Sequence, residues 1–185
     1  MRDVMIDLET MGVGPSAAIV SIGAVIFDPE TGELGAEFYR VVSLSSSMSA
    51  GGVVDAGTIM WWLEQSDAAR NAVSAKFAEG IEDVLFEFDD FVQTFAGGCN
   101  IARVWGNGAA FDNVILRGAY DRLHMDRPWE FYNDRCYRTV KAMHPEIKML
   151  RTGTHHNALD DAISQAKHLC AMLKPPTGEC PNEEG

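Results

Sequence analysis

The chain predicts an α/β domain built on a mixed central sheet with flanking helices. Three observations lead there. Three strand-like segments open the chain, residues 3–8, 18–28 and 34–42, and the last two are joined by the strong turn sequence Asp28-Pro29-Glu30-Thr31-Gly32-Glu33. An apolar stripe at helical spacing follows through Ile81, Val84, Leu85, Phe88, Phe91, Val92 and Phe95. Strand and helix patterns then alternate as far as residue 173, as expected when helices cover a sheet.

Each element has its own signal. Residues 3–8 read as a buried strand, and the three leading strands form an antiparallel meander. Residues 43–55 are rich in Ser and Gly and are expected to form a mobile surface loop. Thr58 is the expected cap of a helix carrying Ile59, Met60, Trp61, Trp62 and Leu63. A helix over Gly80 to Ala96 ends at Gly97-Gly98. Ile101 to Trp105 reads as a strand, and Asn107-Gly108 turns the chain into a helix from about Phe111 to Leu123. A short helix over Tyr137 to Met143 stops before Pro145. Asn157 to Leu173 is the last helix, ended by Pro175-Pro176. One domain is therefore expected over residues 1–173, with a disordered tail at 174–185 and no internal repeat.

Composition narrows the function. A length of 185 residues and a hydrophobic content of 46% suit one domain with a real core. No apolar run is long enough for a bilayer, and Met1-Arg2-Asp3 leads straight into Val4 with no signal peptide, so cytoplasm is expected. Cys99, Cys136, Cys170 and Cys180 are far apart without zinc spacing and read as free thiols. A net charge of −12 argues against coating long duplex DNA, which relies on many cationic contacts to phosphate. It leaves room for an enzyme that grips a few nucleotides at an end, because bound cations would reverse the local field.

The chemistry-bearing residues fall in three stretches. Asp7 and Glu9 flank Leu8 at the end of the first strand, so their side chains share a face while Leu8 enters the core. Two carboxylates so placed can share hard cations such as Mg²⁺ or Mn²⁺. An exposed acidic strand face is the plainer reading. Asp112 opens a helix, where the N-terminus favours a carboxylate, as it favours any first-turn acid. His156 and Asp161 flank the start of the last helix, with His155 and Asp160 as neighbours that could be mistaken for them. No cationic side chain is evident beside these acids.

Together, Asp7-Leu8-Glu9-Thr10, Phe111-Asp112 and His156-Asn157-Ala158-Leu159-Asp160-Asp161 match the three motifs of the DEDDh exonucleases. The last fits the form His-x-Ala-x-x-Asp and selects His156 and Asp161. The chain thus resembles the DnaQ-like, RNase T-like 3′-5′ exonucleases. With Met11-Gly12 and Thr58-Ile59-Met60-Trp61-Trp62, it looks most like the branch of phage T4 exonuclease A and the mycobacterial Rv2179c-like exoribonuclease.

The resemblance implies an RNase H-like fold and hydrolysis with two ions of Mg²⁺ or Mn²⁺. It makes Asp7, Glu9, Asp112 and Asp161 the metal ligands and His156 the general base, and brings Thr10, Met11 and Phe111 to the terminal nucleotide. Two cations about 3.5–4 Å apart can stabilise both the attacking and the leaving oxygen of an in-line displacement. The expected partner is a nucleic-acid 3′ end, DNA first and RNA close behind, cut to nucleoside 5′-monophosphates; a homodimer is an allowed assembly. Phe111 suits the core better than base stacking, and at least one of Trp61 and Trp62 is expected in the core. One departure stands out. Relatives carry His-Asn-Ala-x-Phe-Asp where this chain reads Asn107-Gly108-Ala109-Ala110-Phe111-Asp112, which puts a substrate contact in doubt. The rival readings are a phosphodiesterase of small nucleotides and a non-catalytic binding module. The second has no use for a general base.

Overall fold

The computed structural model describes residues 1–74 and 77–173. The leading strands are β1 (Asp3–Thr10), β2 (Ile19–Phe27) and β3 (Leu34–Val41), paired antiparallel as expected. Two short strands, β4 (Arg103–Gly106) and β5 (Asp134–Cys136), extend the other edge in parallel, giving the order β3-β2-β1-β4-β5. The mixed sheet with flanking helices is the arrangement the sequence resemblance implies. The tail expected at 174–185 lies outside the described residues. Among the described residues, no helix is long and apolar enough to cross a membrane, and no disulfide joins Cys99, Cys136 and Cys170.

Alternation along β1 sorts its side chains between two cores. Val4, Ile6 and Leu8 enter one layer with the helices α4 (Ile81–Ala96) and α5 (Asp112–Arg122). Met5 enters the other with α6 (Tyr137–Met143) and α7 (Ala158–Leu173), so Asp7 and Glu9 look toward α7. The predicted stripe on α4 is buried except at Phe95, which is half exposed. Gly97 ends that helix in the left-handed region at φ +83°.

Three short helices depart from the sequence reading. The segment expected to be a mobile loop contains α1 (Leu44–Ser49), whose first turn is held by the Ser43 hydroxyl accepting from the Ser46 N–H. The next helix, α2 (Ala56–Leu63), starts earlier than expected because Asp55, not Thr58, caps it. Thr58 instead donates its N–H and its hydroxyl to Asp55 Oδ1, at 2.9 and 3.1 Å. A further helix, α3 (Asp67–Val73), is capped by Ser66.

The tightest contact lies between α7 and the sheet. Gly23 of β2 pairs with Asp7, and a Cβ on Gly23 would stand 2.1 Å from the Ala158 carbonyl carbon and 2.2 Å from the Leu159 nitrogen. The first turn of α7 therefore rests directly on strand backbone. Behind it, the buried His168 ring fixes the incoming chain. Its Nε2 donates to the Ile147 carbonyl at 2.9 Å, and its Nδ1 shares a hydrogen bond of 2.7 Å with the Tyr137 hydroxyl.

Gly23→Ala should therefore lower the melting temperature by the equivalent of about 1–3 kcal/mol, the usual cost of overpacking. Gly14→Ala is the control, because a Cβ there meets nothing within 4 Å. Equal melting curves for the two variants would refute the close seat of α7.

Candidate active site

Two carboxylates come from β1, one from α5 and one from α7, and the fold brings all four to one end of the sheet. Asp7 and Glu9 stand on the last turns of the β1 pleat, and a bulge follows Glu9. Asp112 is the first residue of α5 and nearly fully buried, with Oδ1 accepting from the Leu8 N–H at 3.3 Å. Asp161 lies in the first turn of α7, and its Oδ2 accepts from the His156 N–H at 3.0 Å. One oxygen each of Asp7, Glu9 and Asp161 falls within a mutual 4.8 Å. Together with Asp112 they line a cavity of about 210 Å³.

Such crowding must raise the cost of ionisation. Burial, then the charges of Asp112, Glu9 and Asp161, push the Asp7 carboxyl well above the carboxylate range. Burial, then Asp161 and Asp112, raise Glu9 to about 8. Burial raises Asp112 to about 7, against hydrogen bonds and the Arg138 charge. The residues fit a divalent cation. All the donors are hard oxygens, and Asp112 Oδ2 is buried with no hydrogen-bond partner among the described residues.

His156 lies just ahead of α7 with φ +64°, an uncommon backbone for a residue with a side chain. Its ring meets Trp61 edge-on at 4.9 Å between centroids and stacks on His155 at 3.7 Å. Burial, then the neighbouring His155, hold its pKa below the ordinary imidazole value, partly offset by Asp161. His156 and Asp161 each come together with His155, which the motif had set aside.

A second, apolar cavity of about 430 Å³ adjoins the first. Leu8, Glu9, Thr10, Thr58, Trp61 and Phe111 are among its walls. Trp62 is buried and donates its indole N–H to the Thr10 carbonyl at 3.0 Å, pinning α2 to the end of β1, while Trp61 is 41% exposed. Phe111 packs against the core yet lines both cavities. Met11 lines neither; its backbone N–H and carbonyl are taken by Ala18 and Asp55.

Three polar side chains escaped the sequence reading. Gln165 donates its amide to Asp7 Oδ1 at 2.7 Å. It stands one turn beyond Asp161, a spacing that could have revealed it. Arg151 pairs with Asp161, and Arg138 lines the same cavity, so the expectation of no cation beside the acids is corrected. Arg151 reaches Asp161 from the loop before α7, and no local pattern announces that.

Comparison with known proteins bears on this constellation. A family model described as the 3′-5′ exoribonuclease Rv2179c-like domain matches residues 2–173. An exodeoxyribonuclease of Enterobacteria phage T4 is 26% identical over 161 residues, covering 75% of this chain and 70% of that protein. The nuclease domain of 3′hExo, a DEDDh family member bound to rAMP, superposes with a TM-score of 0.60 at 18% identity, covering 92% of this chain and 90% of that one. Exonuclease X in complex with 5′ overhanging duplex DNA gives 0.57 at 18% identity, with coverage of 92% and 90%. At that identity the two structures speak for the fold.

The raised carboxyls have a stability consequence. A carboxyl whose pKa is higher in the folded chain than in the unfolded one makes folding bind protons, so stability falls as pH rises between the two values. For Glu9 that window runs from 4.5 to about 8. The melting temperature without divalent metal should fall from pH 5 to pH 8. Saturating Mg²⁺ should raise it, more at pH 8 than at pH 5. Asp161→Asn should weaken both effects. Melting curves that respond neither to metal nor differently in the variant would count against a clustered site.

Proposed function

Since the chain belongs to the Rv2179c-like 3′-5′ exoribonuclease family and is a 3′-5′ exonuclease of the DEDDh kind, we propose that its reaction runs in the carboxylate cavity. In this reading Asp7, Glu9, Asp112 and Asp161 hold two divalent cations, Mg²⁺ or Mn²⁺. Their bound charge would stabilise both the attacking and the leaving oxygen of the phosphodiester. The observation that carries the reading is the convergence of four carboxyls with a buried, unpartnered Asp112 Oδ2.

The chain's own groups do the rest. His156 is the general base, and its lowered pKa keeps it neutral near pH 7, able to take a proton from the attacking water. The bond from phosphorus to the 3′ oxygen breaks, leaving a nucleoside 5′-monophosphate and a strand one residue shorter. Gln165 holds Asp7 in place. The apolar cavity suits the terminal sugar and base, with Trp61 and Phe111 as faces and Thr10 in its wall. Met11 serves by its backbone, holding the turn after β1.

RNA ends are the favoured substrate, because the family model spans the whole described domain and its description names exoribonuclease activity. DNA, the first choice from sequence, is retained as the second reading on the phage relative's name. Degradation ladders on 5′-labelled single strands of each sugar, with a blocked 3′ end as control, separate the two. Mononucleotide label at the earliest times would mean the opposite polarity.

Two variants test the base. His156→Ala should lose about 10²–10⁴ in single-turnover rate, the usual yield of general-base catalysis, while keeping its metal affinity. The wild-type rate should rise with pH through the histidine titration, with a midpoint below 6.5, and then level off. His155→Ala should lose much less. A dead His155→Ala beside an active His156→Ala would reverse the assignment.

A further inference from the structure

Positive charge is concentrated in one place. Between residues 135 and 151 stand Arg135, Arg138, Lys141, Lys148 and Arg151 against the single acid Glu146, in a chain of net charge −12. On the other flank, residues 55–95 carry nine acids against Arg70 and Lys76. A polyanion leaving the carboxylate cavity meets more positive charge over residues 135–151 than over residues 55–95.

Within that stretch two cations are placed to use it. Arg138 and Lys141 are three residues apart on α6 and both are exposed. Neither forms an ion pair among the described residues, whereas Arg40, Arg70, Arg103, Arg117 and Arg151 each do. Arg138 already lines the carboxylate cavity, its guanidinium anchored by one bond to the Asn107 carbonyl. Four N–H donors remain for a ligand.

The unexplained motif departure falls on the same spot. Gly108 sits at φ +108°, and a Cβ there would meet the Arg138 guanidinium carbon at 3.0 Å. The absence of a side chain at Gly108 leaves that space to the guanidinium.

We propose that Arg138, seated over Gly108, binds the phosphate immediately 5′ of the scissile one, and that Lys141 binds the next. The strand thus leaves the site along α6. The inference rests on the exonuclease reading above, since it needs the scissile phosphate at the carboxylates. It makes substrate length a property of two side chains. A dinucleotide has only the scissile phosphate, a trinucleotide adds one for Arg138, and a tetranucleotide adds one for Lys141.

The test measures mononucleotide release from 5′-hydroxyl di-, tri- and tetranucleotides by the metal-loaded wild type and by Arg138→Gln, Lys141→Gln and Lys167→Gln. The last removes an exposed charge on α7 and is the control. Wild-type kcat/KM should rise about tenfold from dinucleotide to trinucleotide, the scale of one hydrogen bond to a charged group. Arg138→Gln should erase that step, so that its trinucleotide falls to its own dinucleotide value; Lys141→Gln should lower only the tetranucleotide. On longer strands each should reduce the salt slope of kcat/KM by about 0.7. Gly108→Ala should mimic Arg138→Gln and add little to it, whereas backbone strain alone would persist in the double variant. An equal loss at every length, or variants no different from Lys167→Gln, would overturn the track and leave the exonuclease reading standing. A wild type that cuts none of the three would bring down both.

Discussion

The site depends on a helix lying against a strand with no side chain between them. Gly23 faces Asp7 across the β1–β2 pair, and the first turn of α7 occupies the space its Cβ would need. That contact fixes the height and direction of α7. Asp161 then falls beside Asp7 and Glu9, and Gln165, one turn later, reaches Asp7. Any residue larger than glycine would lift the helix and separate the clustered carboxyls.

Burial of like charges is the main electrostatic cost of this arrangement. The fold moderates it with Arg151 on Asp161, the Gln165 amide on Asp7 and the Leu8 N–H on Asp112. What these groups leave unmet, above all Asp112 Oδ2, is what a divalent ion would complete. The surroundings are divided. The apolar cavity lies toward α2, anchored through the Trp62 indole, and the cations lie toward α6. A nucleotide is similarly divided between base and phosphate.

Much of this was legible in the sequence because its signals are local. Apolar runs, the Asp28–Glu33 turn and the α4 stripe mark the elements, and the pleat of β1 alone places Asp7 and Glu9 on one face. The short helices α1 and α3 were hidden because a serine cap stabilises a turn without any apolar period. Asp55 was passed over for Thr58 because both are good caps and only geometry tells them apart. The assembly of β4 and β5 as parallel neighbours, the Arg151–Asp161 pair and the Arg138–Gly108 seat join residues far apart in pattern or in chain, which no single window reads. Gly23 was visible as a glycine inside a strand, a usual mark of close backbone approach, but what approaches it was not.

The order in which the chain supplies its acids has a temporal consequence. Asp7 and Glu9 come from the first strand and Asp161 from the last helix, 154 residues after Asp7. Chains leave the ribosome from the amino end. A nascent chain carries the first two carboxyls long before the element that completes the cluster, and α7 has nowhere to rest until β2 is in place. The carboxylate cluster is therefore complete only when the final helix has docked.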